Sequence, residues 1–193
     1  MAKSQPIKKL SEIKLIKEYF INRKKWRDYT MFVLGINTSL RISDLLSLKW
    51  NDVYNFDSKT FKKHLVIIEK KTKKRNVIAL NSHVVDALKI YSLHLHEPFL
   101  PEYYIFLNHS HKNVPIKRNR AYTIMRQAAK ANGIEGVICC HSLRKTFGYH
   151  AWKMGVPSAV IMEIYNHSSI EVTKRYLSID QDDKDDVFKN LLL

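Results

Sequence analysis

The hydrophobic period of this chain changes twice, and that change restricts the fold before any motif is considered. Ile13, Ile16 and Phe20 recur at helical spacing, and the run Tyr29 to Ile36 reads as a second, buried helix. A short helix follows Arg41, with Ile42, Leu45 and Leu46 turned inward. Residues 53–57, 64–69 and 75–80 then read as three short strands, the last two rich in β-branched residues (Val66, Ile67, Ile68, Val77, Ile78). From Ser82 the helical period returns. Ser82 is the expected cap of a helix bearing Val84, Leu88, Tyr91 and Leu95. Further helices are expected over 119–131, from about Ser142, from Pro157-Ser158, from Ser168-Ser169 to Tyr176, and from Asp182 to Leu193. The pattern predicts an α+β fold, mainly α, with one small three-stranded antiparallel sheet.

The chain of 193 residues suits one domain over 1–193, with residues 1–9 as a loose basic arm and 180–193 as a tail helix. Lys and Arg number 33 against 18 Asp and Glu, a net charge of +15, so the expected partner is a polyanion. Nucleic acid and an anionic membrane surface both fit that charge. The two cysteines, Cys139 and Cys140, read as small buried residues of a reducing compartment. No stretch approaches the ~18 uncharged apolar residues of a membrane span, and no apolar run follows the N-terminus. These features predict a soluble, cytoplasmic protein.

Several short pieces carry possible chemistry. His141-Ser-Leu-Arg144 places an imidazole and a guanidinium on one side of a helix start, where the backbone N–H groups favour an anion. Tyr176 follows Thr173, Lys174 and Arg175, and the two cations favour a phenolate. A free tyrosine is only about one part in a thousand ionised at neutral pH, so a nucleophilic tyrosine needs a base or a dense positive site. Arg41 sits among apolar residues, with Asp44 three positions on as its expected ion-pair partner. Lys70, Lys71, Lys73, Lys74 and Arg75 crowd the turn between the second and third strands. Taken singly, each piece also suits an ordinary structural role, including a half-buried helix tyrosine at 176.

Their order is more specific. Thr38-Ser-Leu-Arg41-Ile-Ser-Asp-Leu, the Lys71-Thr72 turn, His141-Ser-Leu-Arg144, His167 and Arg175-Tyr176 succeed one another as in tyrosine recombinases, the phage-integrase family, which the chain resembles from about residue 8 to about residue 180. It departs from the pattern where Ser39 and Asn166 replace the usual glycines of Thr-Gly-Leu-Arg and Leu-Gly-His. Lys71 best matches the family's hairpin lysine, with Lys73 the second choice.

The resemblance implies catalytic roles for Arg41, Lys71, His141, Arg144, His167 and Tyr176, with Asp44 fixing Arg41 from behind. It implies a 3′-phosphotyrosyl intermediate and site-specific recombination of double-stranded DNA. A topoisomerase-like nicking-closing activity and a non-catalytic DNA-binding protein are the alternatives. Lys70, Lys73, Lys74, Arg75, Lys174 and Arg175 are the expected DNA contacts. Family members usually carry a separate N-terminal core-binding domain, for which Arg41 comes too early here. They act as tetramers, and the apolar stripe Val187, Phe188, Leu191, Leu192 suits docking on a neighbouring copy or packing in cis. No cofactor or metal is expected. His94/His96 and His109/His111 lack supporting ligands, and the acidic run from Asp180 to Asp186 reads as a solvated helix start.

Overall fold

The computed structural model describes residues 4–95, 97–108 and 113–190, apart from the side chains of Asp182, Asp186 and Val187. The order of elements is α1 (Leu10–Asn22), α2 (Trp26–Thr38), α3 (Ile42–Leu45), α4 (Trp50–Val53), β1 (Tyr54–Asn55), β2 (Thr60–Phe61), β3 (His64–Ile68), β4 (Arg75–Ala79), α5 (Ser82–Leu93), α6 (Arg118–Ala131), α7 (Cys140–Lys153), α8 (Ser158–Tyr165), α9 (Ile170–Leu177) and α10 (Gln181–Asn190).

Helix α1 buries the stripe that its sequence announces, Ile13, Ile16 and Phe20. Phe20 meets Phe32 of α2 at a ring separation of 6.3 Å. Helix α2 is buried from Thr30 to Gly35. At Gly35 it is crossed by α7: a Cβ there would lie 2.5 Å from Leu143 Cδ1. This close approach sets the start of α7 beside the end of α2. Asn81, rather than Ser82, caps α5, its side chain accepting from the Val84 N–H.

The strands form two separate hairpins instead of one three-stranded sheet. β3 and β4 pair antiparallel over five residues, from His64↔Ala79 to Ile68↔Arg75. The expected strand 53–57 is reduced to Tyr54 and Asn55 and pairs with Phe61 and Thr60. Asn55 stops it: its Oδ1 accepts from the Asp57 and Ser58 N–H groups and turns the chain back.

Two apolar clusters result. The large one draws on α1, α2, the region Leu40–Leu48, α4, α5, α6 and the first part of α7. The small one has Ile161, Tyr165 and Leu177 at its centre, with Phe147, Ile164 and Tyr176 packed around them.

The N-terminal arm is not loose over residues 4–9. Ile7 is fully buried, its N–H donates to Thr146 Oγ1 at 2.9 Å, and Lys145 Nζ donates to the Ser4 carbonyl at 2.6 Å. One apolar residue in a polar arm is enough to dock it. The acidic run is likewise not all solvated. Asp183 is buried and accepts from Lys8 (2.7 Å) and Tyr149 Oη (2.6 Å), with Lys153 at 3.5 Å. Burial opposes ionisation there, but Lys8 and Tyr149 outweigh it and hold the carboxyl well below the usual range. Arm and tail helix are thereby tied together. Phe188 of the expected apolar stripe is exposed. Leu191 and Leu192 lie outside the described residues, as do His96, His109 and His111. No described helix is long and apolar enough to cross a membrane.

Candidate active site

Five of the six residues singled out from sequence converge where the end of α2, the start of α7 and the α8–α9 segment meet. Helix α7 begins at Cys140, so His141 and Arg144 stand near its start, about one turn apart on one side. His141 Nδ1 lies 3.5 Å from Tyr176 Oη, and the two rings meet edge to face at 5.0 Å. Tyr176 also packs against Tyr165 (4.9 Å) and His167 (5.0 Å). Lys145 Nζ sits 5.5 Å from the centre of its ring. A small cavity of about 190 Å³ opens here, lined by Ser4, His141, Lys145, Val172, Arg175 and Tyr176.

Arg144 is buried, and its guanidinium is aimed by the backbone. It donates to the carbonyls of Ser39 and, at 3.0 Å, Tyr165, and lies 4.6 Å over the Tyr165 ring. Tyr165 Oη returns a hydrogen bond to the Arg144 carbonyl at 2.6 Å. The two carbonyls that steer Arg144 come from places of unusual backbone. Ser39 ends α2 at φ 58°, and Asn166, just after Tyr165, ends α8 at φ 53°. These are the two positions where the family pattern has glycine, and both need the left-handed conformation that glycine adopts without strain. Gly148 makes room for the Tyr165 hydroxyl, which would collide with any Cβ there.

His167 is oriented from below, its Nδ1 3.0 Å from Thr173 Oγ1. Arg41, at the start of α3, does not pair with Asp44. Its Nη1 contacts Glu69 Oε2 at 2.5 Å. Asp44 instead accepts the Lys70 N–H at 3.0 Å, so it holds the end of β3 and not the arginine. The reason is directional: Asp44 is buried within the α3 turn, whereas Glu69 follows Leu65 and Ile67 on the inward parity of β3. Lys71 remains at the exposed tip of the β3–β4 turn, and none of the described residues hydrogen-bonds it. Its turn reaches the cluster through the neighbouring Thr72, whose Oγ1 donates to Glu69 Oε2 at 2.6 Å. Lys70, Lys73, Lys74 and Arg75 are exposed around the same turn, and Lys174 and Arg175 on the last turn of α9.

The electrostatics divide the site into an acceptor and a donor. Packing, together with the charges of Lys145, Arg144, Arg118 and Arg41, pushes the His141 pKa down to about 4. A neutral imidazole therefore faces Tyr176 at physiological pH. Burial pushes Tyr176 up to about 12, with Arg144 and Arg41 pulling the other way. The phenol keeps its proton until a base removes it. His167 is also lowered, by burial and by Arg144 and Arg41. The arrangement suits an anion with oxygens directed at Arg41, Arg144 and His167, and proton transfer from Tyr176 to His141.

Glu69, Thr173 and Tyr165 had no role assigned from the sequence. Glu69 left a signal nonetheless: a carboxylate on the inward face of a β-branched run needs a buried cation, and Arg41 needed an anion.

Known proteins resemble this chain in sequence and in fold. The family model described as "Phage integrase family" matches residues 8–182. The chain is 41% identical over 178 residues to the probable integrase/recombinase YoeC of Bacillus subtilis (strain 168), covering 92% of this chain and 91% of that protein. It is 29% identical over 170 residues to a tyrosine recombinase XerD of Listeria monocytogenes (strain EGD-e), covering 84% of this chain but 54% of XerD. It thus spans nearly all of YoeC and about half the length of XerD. Among solved structures, the XerA recombinase superposes with a TM-score of 0.75 at 21% identity, over 97% of this chain and 64% of that one. XerH bound to its palindromic difH substrate gives 0.73 at 16%, over 94% and 51%. With the family model running from the docked arm to the start of α10, and the fold shared with both solved recombinases, the chain belongs to the phage integrase family of tyrosine recombinases.

Proposed function

We propose that this chain breaks and rejoins double-stranded DNA at specific sites, with Tyr176 as the nucleophile. The observation that carries the reading is the approach of Tyr176 Oη to His141 Nδ1 within a ring of cations. Tyr176 Oη attacks the scissile phosphorus while its proton passes to His141 Nδ1. The bond to the 5′-oxygen breaks, leaving a 3′-phosphotyrosyl link and a 5′-oxygen that takes a proton from Lys71. A 5′-hydroxyl from a second strand reverses the step, so the phosphodiester energy is conserved and no ATP or metal is called for. Arg41 and Arg144 hold the negative charge of the transition state with forked donors, and His167 hydrogen-bonds and orients the phosphate.

The lysines and arginines at 70, 73, 74, 75, 174 and 175 would follow the phosphate backbone, giving salt-sensitive affinity. The chain acts as a single catalytic domain in the cytoplasm and assembles as a tetramer on two DNA sites, with the C-terminal helix α10 bridging neighbours. The reading draws on YoeC as a relative named integrase/recombinase and on XerH as a recombinase of this fold bound to its DNA substrate.

A nicked duplex whose cleavage releases a short 5′-hydroxyl strand tests the chemistry. The wild-type chain should accumulate a covalent protein–DNA complex, and Tyr176→Phe should form none. A phenylalanine variant that still traps DNA assigns the nucleophile elsewhere. Recombination between two sites on one plasmid is expected; relaxation of a one-site plasmid without it would favour nicking-closing activity instead.

A further inference from the structure

We propose that Glu69 is a positioning residue for this reaction, setting Arg41 and the β3–β4 turn together in the geometry that receives the phosphate; the role rests on the strand-transfer reading above. Glu69 is 1% exposed. Its Oε2 accepts from Arg41 Nη1 (2.5 Å), from Thr72 Oγ1 (2.6 Å) and, at 3.5 Å, from Asn166 Nδ2. Its Oε1 faces Asn76 Nδ2 at 3.4 Å. One carboxylate therefore joins the three segments that carry Arg41, Lys71 and His167.

A buried ion pair is a poor way to gain stability, because desolvation offsets most of the attraction, and an apolar pair of similar volume packs at least as well. Its value is in direction. Arg41 has few other fixed contacts, and a guanidinium misplaced by 1 Å costs as much as about 10²-fold in rate. Burial alone would keep Glu69 protonated, but the hydrogen bonds from Thr72 and Arg41 and the charges of Arg41 and Arg144 prevail and lower its pKa. A negative charge thus stands beside the phosphate-binding arginines. It must weaken ground-state attraction for DNA while improving alignment. That opposition distinguishes a positioning role from a folding role, which would move both in one direction.

The test measures DNA affinity and the single-turnover rate of covalent trapping on the nicked duplex. Glu69→Ala should bind DNA as tightly as wild type or more tightly, yet trap it about 10²-fold more slowly. Glu69→Gln keeps an oxygen acceptor for Arg41 and Thr72 and should recover most of the rate. Combining Glu69→Ala with Arg41→Ala should lose less than the product of the two single losses, because part of the Glu69 effect passes through that arginine. Wild-type trapping by Glu69→Ala, parallel loss of affinity and rate without rescue by glutamine, or additive losses in the double variant would each overturn the role. Those results leave the strand-transfer reading standing. A wild-type chain that forms no covalent complex defeats both.

Discussion

The two apolar clusters of this molecule carry different halves of one site. The large cluster supports Arg41, the β3–β4 turn and the start of α7, and so fixes the two arginines that would hold a phosphate. The small cluster centres on only Ile161, Tyr165 and Leu177 and supports His167 and Tyr176. Helices α8 and α9 are two turns each, and several of their apolar residues (Val160, Ile170, Val172) are exposed. Local opening costs least where buried apolar contact is least. The arginine clamp is therefore the rigid half, and the nucleophile with His167 the yielding half. For a strand exchange that must release one DNA end and accept another, that is the useful division of stiffness. Arg144 ties the halves, donating to Ser39 on one side and Tyr165 on the other.

Breaking that tie should have the largest effect. Arg144→Ala removes a transition-state donor and the link between clusters, and trapping should fall by about 10²–10³-fold or more. Arg41→Ala loses the donor and leaves the buried Glu69 carboxylate without its cation, but keeps the clusters joined, and its rate should stay within that range. If Arg144→Ala leaves α9 as well protected from amide exchange as Arg41→Ala does, Arg144 does not couple the halves.

Cavities on the two sides sharpen the contrast. Leu34→Ala, in the buried run of α2, should cost about 2–5 kcal/mol and shift the whole urea transition. Leu177→Ala should cost about 2 kcal/mol, the low end, because fewer residues surround it. Its trapping rate should nonetheless fall more than that of Leu34→Ala at equal distance below the midpoint. Amide exchange of wild type should show α9 opening at lower free energy than α2. Equal protection of the two helices removes the distinction.

The acid side of the pH profile gives a smaller effect. His141 titrates at about 4 in the folded chain, against about 6.5 for a free histidine. Between these values the unfolded chain binds more protons, so this group's contribution to stability is present above that window and is lost as pH falls through it. Trapping by a neutral His141 should hold steady from pH 7.5 to about 5.5. A loss with an apparent pKa near 6.5 shows that the surrounding cations do not act on the imidazole as described.

The smallest effect concerns the left-handed residues. Ser39→Gly should relieve about 1 kcal/mol of backbone strain, less the entropy that glycine gains in the unfolded chain, and so raise stability by a few tenths to 1 kcal/mol. Destabilisation instead would show that the buried serine side chain matters more than its φ.

The parts of this arrangement that were legible in the sequence are those governed by local spacing. The 3.6-residue stripe of Ile13, Ile16 and Phe20 gave α1, and the spacing of His141 and Arg144 placed both in one helical turn. What escaped was decided by contacts across the chain. Arg41 lies three positions from Asp44 and 28 from Glu69, and local spacing favoured the wrong carboxylate. The arm was read from its charge, and Ile7, its one deep anchor, was passed over. The expected strand 53–57 was cut short by an Asn55 turn that strand propensity does not register.

The central claim is that the hydroxyl of Tyr176 becomes bonded to DNA. Trapping the wild-type chain on a nicked duplex, digesting with nuclease and trypsin, and sequencing the adduct by mass spectrometry tests it directly. Cleavage after Arg175 and Lys184 yields a peptide that begins at Tyr176. A nucleotide phosphate is expected on that first residue, and on neither Tyr165 nor any serine. An adduct on another side chain, or an active chain with no adduct, would contradict it.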